Sequence, residues 1–151
     1  HTLNTLRIEK AYREWAHDMG PLETLLEAGL GFTAAWDKSD GFIGREALIA
    51  QREEGTLKRR LVQFLLDDPE PMLTHNEPIL RDGERVGYTM SSGYAHTLGA
   101  CAAMGYINNA AGVTSDYVAD GIYTIEQADR TYTARASLAP MYDPKSVRTR
   151  S

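Results

Sequence analysis

The feature of this sequence that most narrows the choice of fold is a series of short strand patterns between residues 58 and 136. Brief apolar runs alternate there with Gly, Pro, Asp and Ser, the residues that separate strands. Asp82-Gly83 predicts a tight hairpin because both residues tolerate positive φ, and a last hairpin is predicted across residues 127–129. Short strands at such intervals predict a small antiparallel barrel or sandwich. The predicted strands are residues 60–66, 78–80, 85–90, 100–107, 123–125 and 130–136, with a loop at 91–93.

The first part of the chain carries a different pattern. Apolar residues recur at helical spacing over residues 3–11, and residues 45–54 are rich in good helix formers. Residues 30–36 alternate large apolar side chains, which predicts a strand. We therefore expect an α+β chain in two parts, residues 1–56 and 57–151. The apolar side of the first helix is expected to be Leu3, Leu6, Ile8 and Ala11.

Composition excludes several classes of partner. The chain has 151 residues, 42% of them hydrophobic, which is enough for one core or a little more. A formal charge of -5 argues against general affinity for nucleic acid or anionic membranes, and no apolar run predicts a membrane span. The single cysteine, Cys101, forms no internal disulfide, is expected to be buried and inert, and suits a reducing compartment. His1 in place of methionine suggests a segment of a longer protein, with His1 as a tag remnant.

Motifs that would carry chemistry are absent from the sequence. The histidines lack a metal-ligand spacing, so no metal site is predicted. His17-Asp18 could be a base and its orienting carboxylate, but a polar helix end is the favoured interpretation. Glu9 could pair with Arg13 one helical turn on, and pattern alone favours this solvated pair over a ligand role. Residue patterns therefore predict a two-part globular chain and no reaction.

Several segments, taken together in order, are more informative than any one of them. They are LRIE (6–9), HDM (17–19), AGLGF (28–32), DGFIGREAL (40–48), VGYTMSSG (86–93), TLG (97–99) and AMGYI (103–107). This ordered set resembles the latter part of the glycine-cleavage T-protein (aminomethyltransferase) family over residues 3–142. LRIEKAYREW at residues 6–15 and GYAHT at 93–97 are most similar to the dimethylglycine and sarcosine dehydrogenases of that family.

The resemblance implies a fold, a ligand and three site residues. Residues 1–56 would end a mixed α/β folate-binding domain, and residues 57–151 would form its small antiparallel β-barrel. Glu9 matches the family glutamate that binds the pterin of tetrahydrofolate, a task that suits a carboxylate because it accepts paired N–H donors. Tyr142 lies near a family tyrosine, and Lys38 lies near a frequent family arginine. The family's catalytic aspartate belongs to the N-terminal half, so no catalytic residue is expected here.

The function implied is the folate-side part of a flavin-dependent enzyme that passes one-carbon units from methylated amines to tetrahydrofolate. The FAD would belong to an upstream domain, and this segment alone is expected to be inactive. The alternatives are part of a stand-alone aminomethyltransferase or a non-enzymatic T-protein-like scaffold. Folate and amine would bind with the upstream region, without nucleic acid or membrane, and apolar surface near residues 30–36 would promote self-association. The expected location is the cytoplasm, or the mitochondrial matrix in a eukaryote.

Overall fold

The computed structural model describes residues 2–148 and 150, and most of the chain forms one barrel. The strands are β1 (Arg59–Leu66), β2 (Pro78–Arg81), β3 (Glu84–Ala95), β4 (Ala100–Asn108), β5 (Tyr123–Gln127) and β6 (Arg130–Ser137). They close in the order β1-β4-β3-β2-β5-β6, with every neighbouring pair antiparallel. The helices are α1 (Thr2–Glu9), α2 (Arg45–Glu53) and α3 (Ser115–Ala119). The α+β class with a barrel is confirmed, whereas the division at residue 56 stays a prediction and His1 lies outside the described residues.

Both predicted hairpins are present, and each closes through a two-residue loop. Asp82 and Gly83 have φ of 53° and 86°, and the flanking Arg81 and Glu84 pair across the loop. Ala128 and Asp129 have φ of 49° and 63°, so the last turn is one residue shorter than predicted because Gln127 belongs to β5. Two successive left-handed residues match the right-handed twist of the strands that they join.

β1 and β4 are buried on both faces, which explains why β4 reads as a continuous apolar run. One face of each strand points into the barrel, and the other face packs against α1 and the residues that follow it. The inner cluster includes Val62, Phe64, Leu66, Ile79, Cys101, Ala103, Ile107 and Ile125. The outer cluster includes Ile8, Ala11, Leu61, Leu65, Ala102, Met104 and Tyr106. Cys101 is fully buried, as predicted, and burial raises the pKa of its thiol.

β3 is longer than predicted, because the expected loop at residues 91–93 belongs to the strand. Ser91, Ser92 and Gly93 pair with Met104, Ala103 and Ala102 of β4 after a register shift that follows Thr89. Serine and glycine have low strand propensity, but each is used here for a tertiary contact. Ser91 donates a hydrogen bond to Asp18, and Ser92 donates to the carbonyl oxygen of Leu73 at 2.8 Å. A Cβ on Gly93 would lie 3.3 Å from Thr5 of α1, so its small size allows the helix to approach the strand.

The predicted strand at residues 30–36 is wrong. This segment contains a short 3-10 helix, Gly31–Thr33, and the Trp36 indole nitrogen donates to the carbonyl oxygen of Gly31 at 2.9 Å. No described strand lies beside this segment. Without a partner strand, its backbone cannot form the inter-strand hydrogen bonds that would stabilise an extended conformation. Phe32 is 82% exposed, so its apolar side chain does not enter the core.

α1 is shorter than the helical pattern, and only half of the predicted apolar side is buried. The Tyr12 N–H donates to the Arg7 carbonyl oxygen at 2.8 Å, and Ala11 has a left-handed φ of 51°, so the helix ends in a Schellman motif. Leu3 is 80% exposed and Leu6 is 53% exposed. Only Ile8 and Ala11 of the predicted side are buried. α2 agrees with the predicted helix at residues 45–54 to within one residue.

Within residues 2–148 and 150, no helix is both long and apolar enough to cross a membrane. The same described residues contain no group of three or more His, Cys, Asp or Glu side chains that could hold a metal ion.

Candidate functional site

The last residue of α1, Glu9, is held by the loop between β3 and β4. Glu9 is only 2% exposed. Its carboxylate accepts two hydrogen bonds from Thr97, one from the backbone N–H to Oε1 at 2.5 Å and one from the hydroxyl to Oε2 at 3.0 Å. The expected Glu9–Arg13 pair is wrong because the chain turns at Ala11. Arg13 instead donates to the carbonyl oxygens of Ala28 at 2.8 Å and Ala11 at 2.5 Å.

The Glu9 carboxylate keeps unused acceptor capacity. A carboxylate offers about four lone-pair sites, and Thr97 occupies one on each oxygen. Among the described residues, Glu9 has no ion pair. A buried carboxylate with spare lone pairs and no cation is suited to a neutral partner that presents two adjacent N–H donors.

The next residue, Lys10, extends to the C-terminal segment instead. We define residues 138–148 as the C-terminal strap. Lys10 Nζ donates to the carbonyl oxygen of Asp143 at 2.9 Å and to its Oδ2 at 3.0 Å, and both side chains are nearly buried. The rings of Tyr12 and Tyr142 lie 6.0 and 5.8 Å from Lys10 Nζ. Although desolvation opposes it, hydrogen bonding to Lys10 and to backbone N–H groups lowers the pKa of Asp143.

The buried side-chain amide of Gln63 contacts both the end of α1 and the C-terminal strap. Gln63 of β1 is 3% exposed. Its Nε2 donates to the carbonyl oxygens of Ile8 at 2.7 Å and Glu9 at 3.3 Å, and its Oε1 accepts from the Met141 N–H at 2.8 Å. Gln63 therefore fastens both the end of α1 and the C-terminal strap to the barrel. Its position as the one polar residue of LVQFLL, residues 61–66, is the sequence signal that could have identified it.

A cleft of about 580 Å³ lies where the end of α1 meets the C-terminal strap. Its volume is in the usual range for small-molecule sites, and its walls combine aromatic, apolar and basic side chains. Glu9, Tyr142 and Lys38 are not among its lining residues. The lining residues are Lys10, Tyr12, Arg13, Gly29, Leu30, Phe32, Leu138, Pro140, Pro144 and Ser146.

The three predicted site residues are only partly brought together. Glu9 and Tyr142 both lie at the C-terminal end of α1, Glu9 against the β3–β4 loop and Tyr142 beside Lys10. Lys38 is exposed on a turn where its N–H donates to the Ala35 carbonyl oxygen at 3.1 Å. Sequence reasoning missed Thr97 because its contact with Glu9 crosses 88 residues of chain.

His17-Asp18 forms neither a catalytic pair nor a helix end. Asp18 is fully buried, while His17 is exposed and the segment is not helical. Asp18 Oδ2 pairs with Arg7 at 2.5 Å and accepts the Glu14 N–H at 2.9 Å, and Oδ1 accepts the Ser91 hydroxyl. This buried ion pair is satisfied by further hydrogen bonds and fastens the loop after α1 to β3.

The similarity of this chain to known proteins extends beyond its barrel. The family described as "Glycine cleavage T-protein C-terminal barrel domain" matches residues 59–143. Sarcosine dehydrogenase, mitochondrial, of Homo sapiens is 39% identical over 150 residues, which covers 98% of this chain. The 4-methylaminobutanoate oxidase (formaldehyde-forming) of Paenarthrobacter nicotinovorans is 35% identical and covers 99%. This chain spans only 16% and 17% of the length of these two relatives.

A solved structure shows the same fold. The aminomethyltransferase T of the glycine cleavage system from Bartonella henselae superposes with a TM-score of 0.72 at 20% identity, over 91% of this chain and 37% of that one. The segment that matches the family, residues 59–143, begins with β1 and contains the whole closed barrel. Sequence match and barrel topology thus agree, and the chain belongs to the glycine cleavage T-protein C-terminal barrel family.

Proposed function

We propose that this chain is the C-terminal, folate-side portion of a flavin-dependent enzyme that oxidises a methylated amine and transfers the one-carbon unit to tetrahydrofolate. The observation that supports this most is that similarity to sarcosine dehydrogenase and 4-methylaminobutanoate oxidase covers 98–99% of the chain. It includes α1 and its glutamate as well as the barrel. In this proposal the flavin belongs to an upstream region, and the location is the mitochondrial matrix if the source is a eukaryote.

In the proposed role, Glu9 holds the pterin ring of the folate. The spare lone pairs of its carboxylate would accept the ring N–H and the exocyclic amine. The ring is then oriented so that N5 faces the one-carbon electrophile, and the surrounding protein excludes water. This contribution is positioning and desolvation rather than acid–base catalysis.

In this proposal Tyr142 and Lys38 contribute unequally to folate binding. Tyr142 would present an aromatic face beside Lys10, whose Nζ lies 5.8 Å from the centre of its ring. Lys38 lies on an exposed turn and would meet only an outer part of the ligand. We therefore expect Tyr142→Ala to weaken folate binding more than Lys38→Ala does.

The test of the anchor is calorimetric titration of 5-formyltetrahydrofolate, a stable folate, into the full-length protein. Glu9→Ala should weaken binding at least tenfold, because hydrogen bonds to a charged group contribute about 1.5–3 kcal/mol. Glu14→Ala is the matched control, since Glu14 is a half-exposed carboxylate of the same segment that pairs with Arg7. If Glu9→Ala leaves the affinity within a factor of two, Glu9 is not the anchor.

The presence of a bound flavin is tested separately, by visible absorption spectroscopy. A visible absorption spectrum of the full-length protein should show a band near roughly 450 nm, as expected for bound flavin. Turnover of sarcosine, dimethylglycine and 4-methylaminobutanoate would then be compared. A colourless protein would exclude the flavin-dependent reaction and favour a stand-alone aminomethyltransferase or a scaffold.

A further inference from the structure

We propose that Thr97 is the residue that positions the Glu9 carboxylate for folate, so that the barrel sets the geometry of the folate anchor. The inference rests on the proposed function of Glu9. Its basis is that a single residue donates to both carboxylate oxygens, through its backbone N–H at 2.5 Å and its hydroxyl at 3.0 Å. These are the two hydrogen bonds that the described residues make to this carboxylate.

The loop that carries Thr97 is itself well fixed. The N–H groups of Leu98 and Gly99 donate to the carbonyl oxygen of Ala95 at 3.0 and 2.7 Å. The Tyr94 hydroxyl donates to the Gly99 carbonyl oxygen at 3.0 Å. Ala95, where the loop leaves β3, is fully buried. Thr97 is therefore held by the barrel and can orient a side chain that belongs to α1.

Two simultaneous hydrogen bonds determine the plane of the carboxylate. The backbone N–H alone would leave Glu9 free to rotate about its terminal side-chain torsion, which is a broad and soft one. The Thr97 hydroxyl removes that freedom and directs the remaining lone pairs in one direction. A ligand that needs two parallel acceptors then binds without first ordering the side chain.

The alternative is that Thr97 competes with the ligand for Glu9. Under that alternative, removing the hydroxyl would free Oε2 and tighten folate binding. The geometry favours positioning, because each oxygen accepts only one of these hydrogen bonds and has a second acceptor site left. The two roles predict opposite changes in affinity and can therefore be separated by one substitution.

The experiment is folate titration of full-length variants at Thr97. Thr97→Val keeps the shape and the backbone N–H but loses the hydroxyl, and it should weaken 5-formyltetrahydrofolate binding about tenfold, the lower end of what is expected for one hydrogen bond to a charged group. Thr97→Ser restores the hydroxyl and should bind within twofold of the unmodified protein. Unchanged or tighter binding by Thr97→Val would overturn the proposal.

A double-mutant cycle separates positioning from a general structural role. In a Glu9→Gln background, Thr97→Val should have little further effect on folate affinity, because both substitutions act on one interaction. Ser92→Ala is the matched structural control, since Ser92 lies on β3, the strand that leads into the Thr97 loop, and its hydroxyl donates to Leu73 and Thr74 rather than to Glu9. It should lower the melting temperature without changing folate affinity. Equal losses for Thr97→Val in both backgrounds would show that Thr97 acts independently of Glu9.

The outcomes also distinguish this inference from the proposed function. If the unmodified protein does not bind folate, both are wrong. If it binds folate and Glu9→Ala has no effect, the anchor is wrong and Thr97 has nothing to position. If Glu9→Ala weakens binding and Thr97→Val does not, the anchor stands and only the positioning role is overturned.

Discussion

Glu77 shows at the level of one residue how this barrel holds a buried carboxylate. It is 6% exposed, and its carboxylate accepts the Thr74 N–H at 2.6 Å, the Thr74 hydroxyl at 2.7 Å and the Thr89 hydroxyl at 2.6 Å. Burial by itself raises the pKa of Glu77, but these hydrogen bonds outweigh it and the net pKa is lowered. Glu77 has more donors than Glu9, so it needs no ligand to complete its hydrogen bonding.

Glu77 should make the barrel less stable in acid. Because its pKa is lower in the folded than in the unfolded protein, its stabilisation is complete above the ordinary carboxyl pKa of 4.5 and is lost as the pH falls through the lower folded value. Glu77→Gln should therefore cost about 2 kcal/mol at pH 7 and progressively less in acid, as measured by urea unfolding at several pH values. Glu126→Gln, an exposed position on β5, is the control. An identical cost at every pH would contradict the linkage.

At the level of elements, the close pairing of β3 with β4 depends on two glycines. Gly87 pairs with Ile107 and Gly105 pairs with Thr89, both before the register shift that follows Thr89. A Cβ on Gly87 would meet the carbonyl oxygen of Tyr106. A Cβ on Gly105 would lie 2.5 Å from the Tyr88 oxygen and 2.6 Å from Ile79 Cδ1. These glycines are required by the close approach of the strands rather than by backbone conformation.

Gly105→Ala should disturb the barrel more than an alanine at a turn glycine. We expect a loss of about 3 kcal/mol, since the added methyl group overpacks a region where backbone must move. Gly83→Ala is the comparison, because Gly83 has open space around it and a positive φ, so its cost should be only about 1 kcal/mol from conformation. Thermal unfolding of both variants gives the ranking. Equal costs would mean that the strands can separate without penalty.

On the scale of the whole molecule, exposed apolar residues are concentrated in the first part of the chain. Leu3, Leu22, Phe32 and Ile43 are each at least 80% exposed. The barrel region has fewer strongly exposed apolar residues, and the most exposed of them is Ile122 at 71%. Exposed apolar residues on a folded surface favour association when they are contiguous. Self-association stays a prediction, and we expect it to involve the first part of the chain, which includes residues 30–36, rather than the barrel.

The chain of residues 1–151 should associate as its concentration rises, as followed by light scattering or sedimentation velocity. Leu22→Lys with Phe32→Lys should shift the population toward monomer, because charge in place of exposed apolar surface removes the driving force. Ile122→Lys introduces the same charge at an exposed apolar residue of the barrel and should leave association unchanged. A single monomer peak at all concentrations would rule out the prediction.

Local chemistry was enough to predict a series of short antiparallel strands, in a barrel or a sandwich. Asp82-Gly83 favours a two-residue turn through its own conformational preference, and the continuous apolar run of β4 predicts a strand that is buried on both faces. The strands and turns could be read from such patterns, because turn preference and side-chain periodicity depend on neighbours in the sequence. The family followed from the resemblance of several ordered segments.

Contacts between distant residues required the tertiary structure. Residues 30–36 have a strand pattern but no described strand beside them. β3 continues through Ser91, which pairs with Met104 of β4 and donates its hydroxyl to Asp18. Glu9 could be chosen from the sequence as an anchor, but the sequence favoured its pairing with the nearby Arg13. The structure places it against Thr97, 88 residues away. Hydrogen bonds formed by a buried carboxylate depend on what the fold brings to it, and no local pattern contains that information.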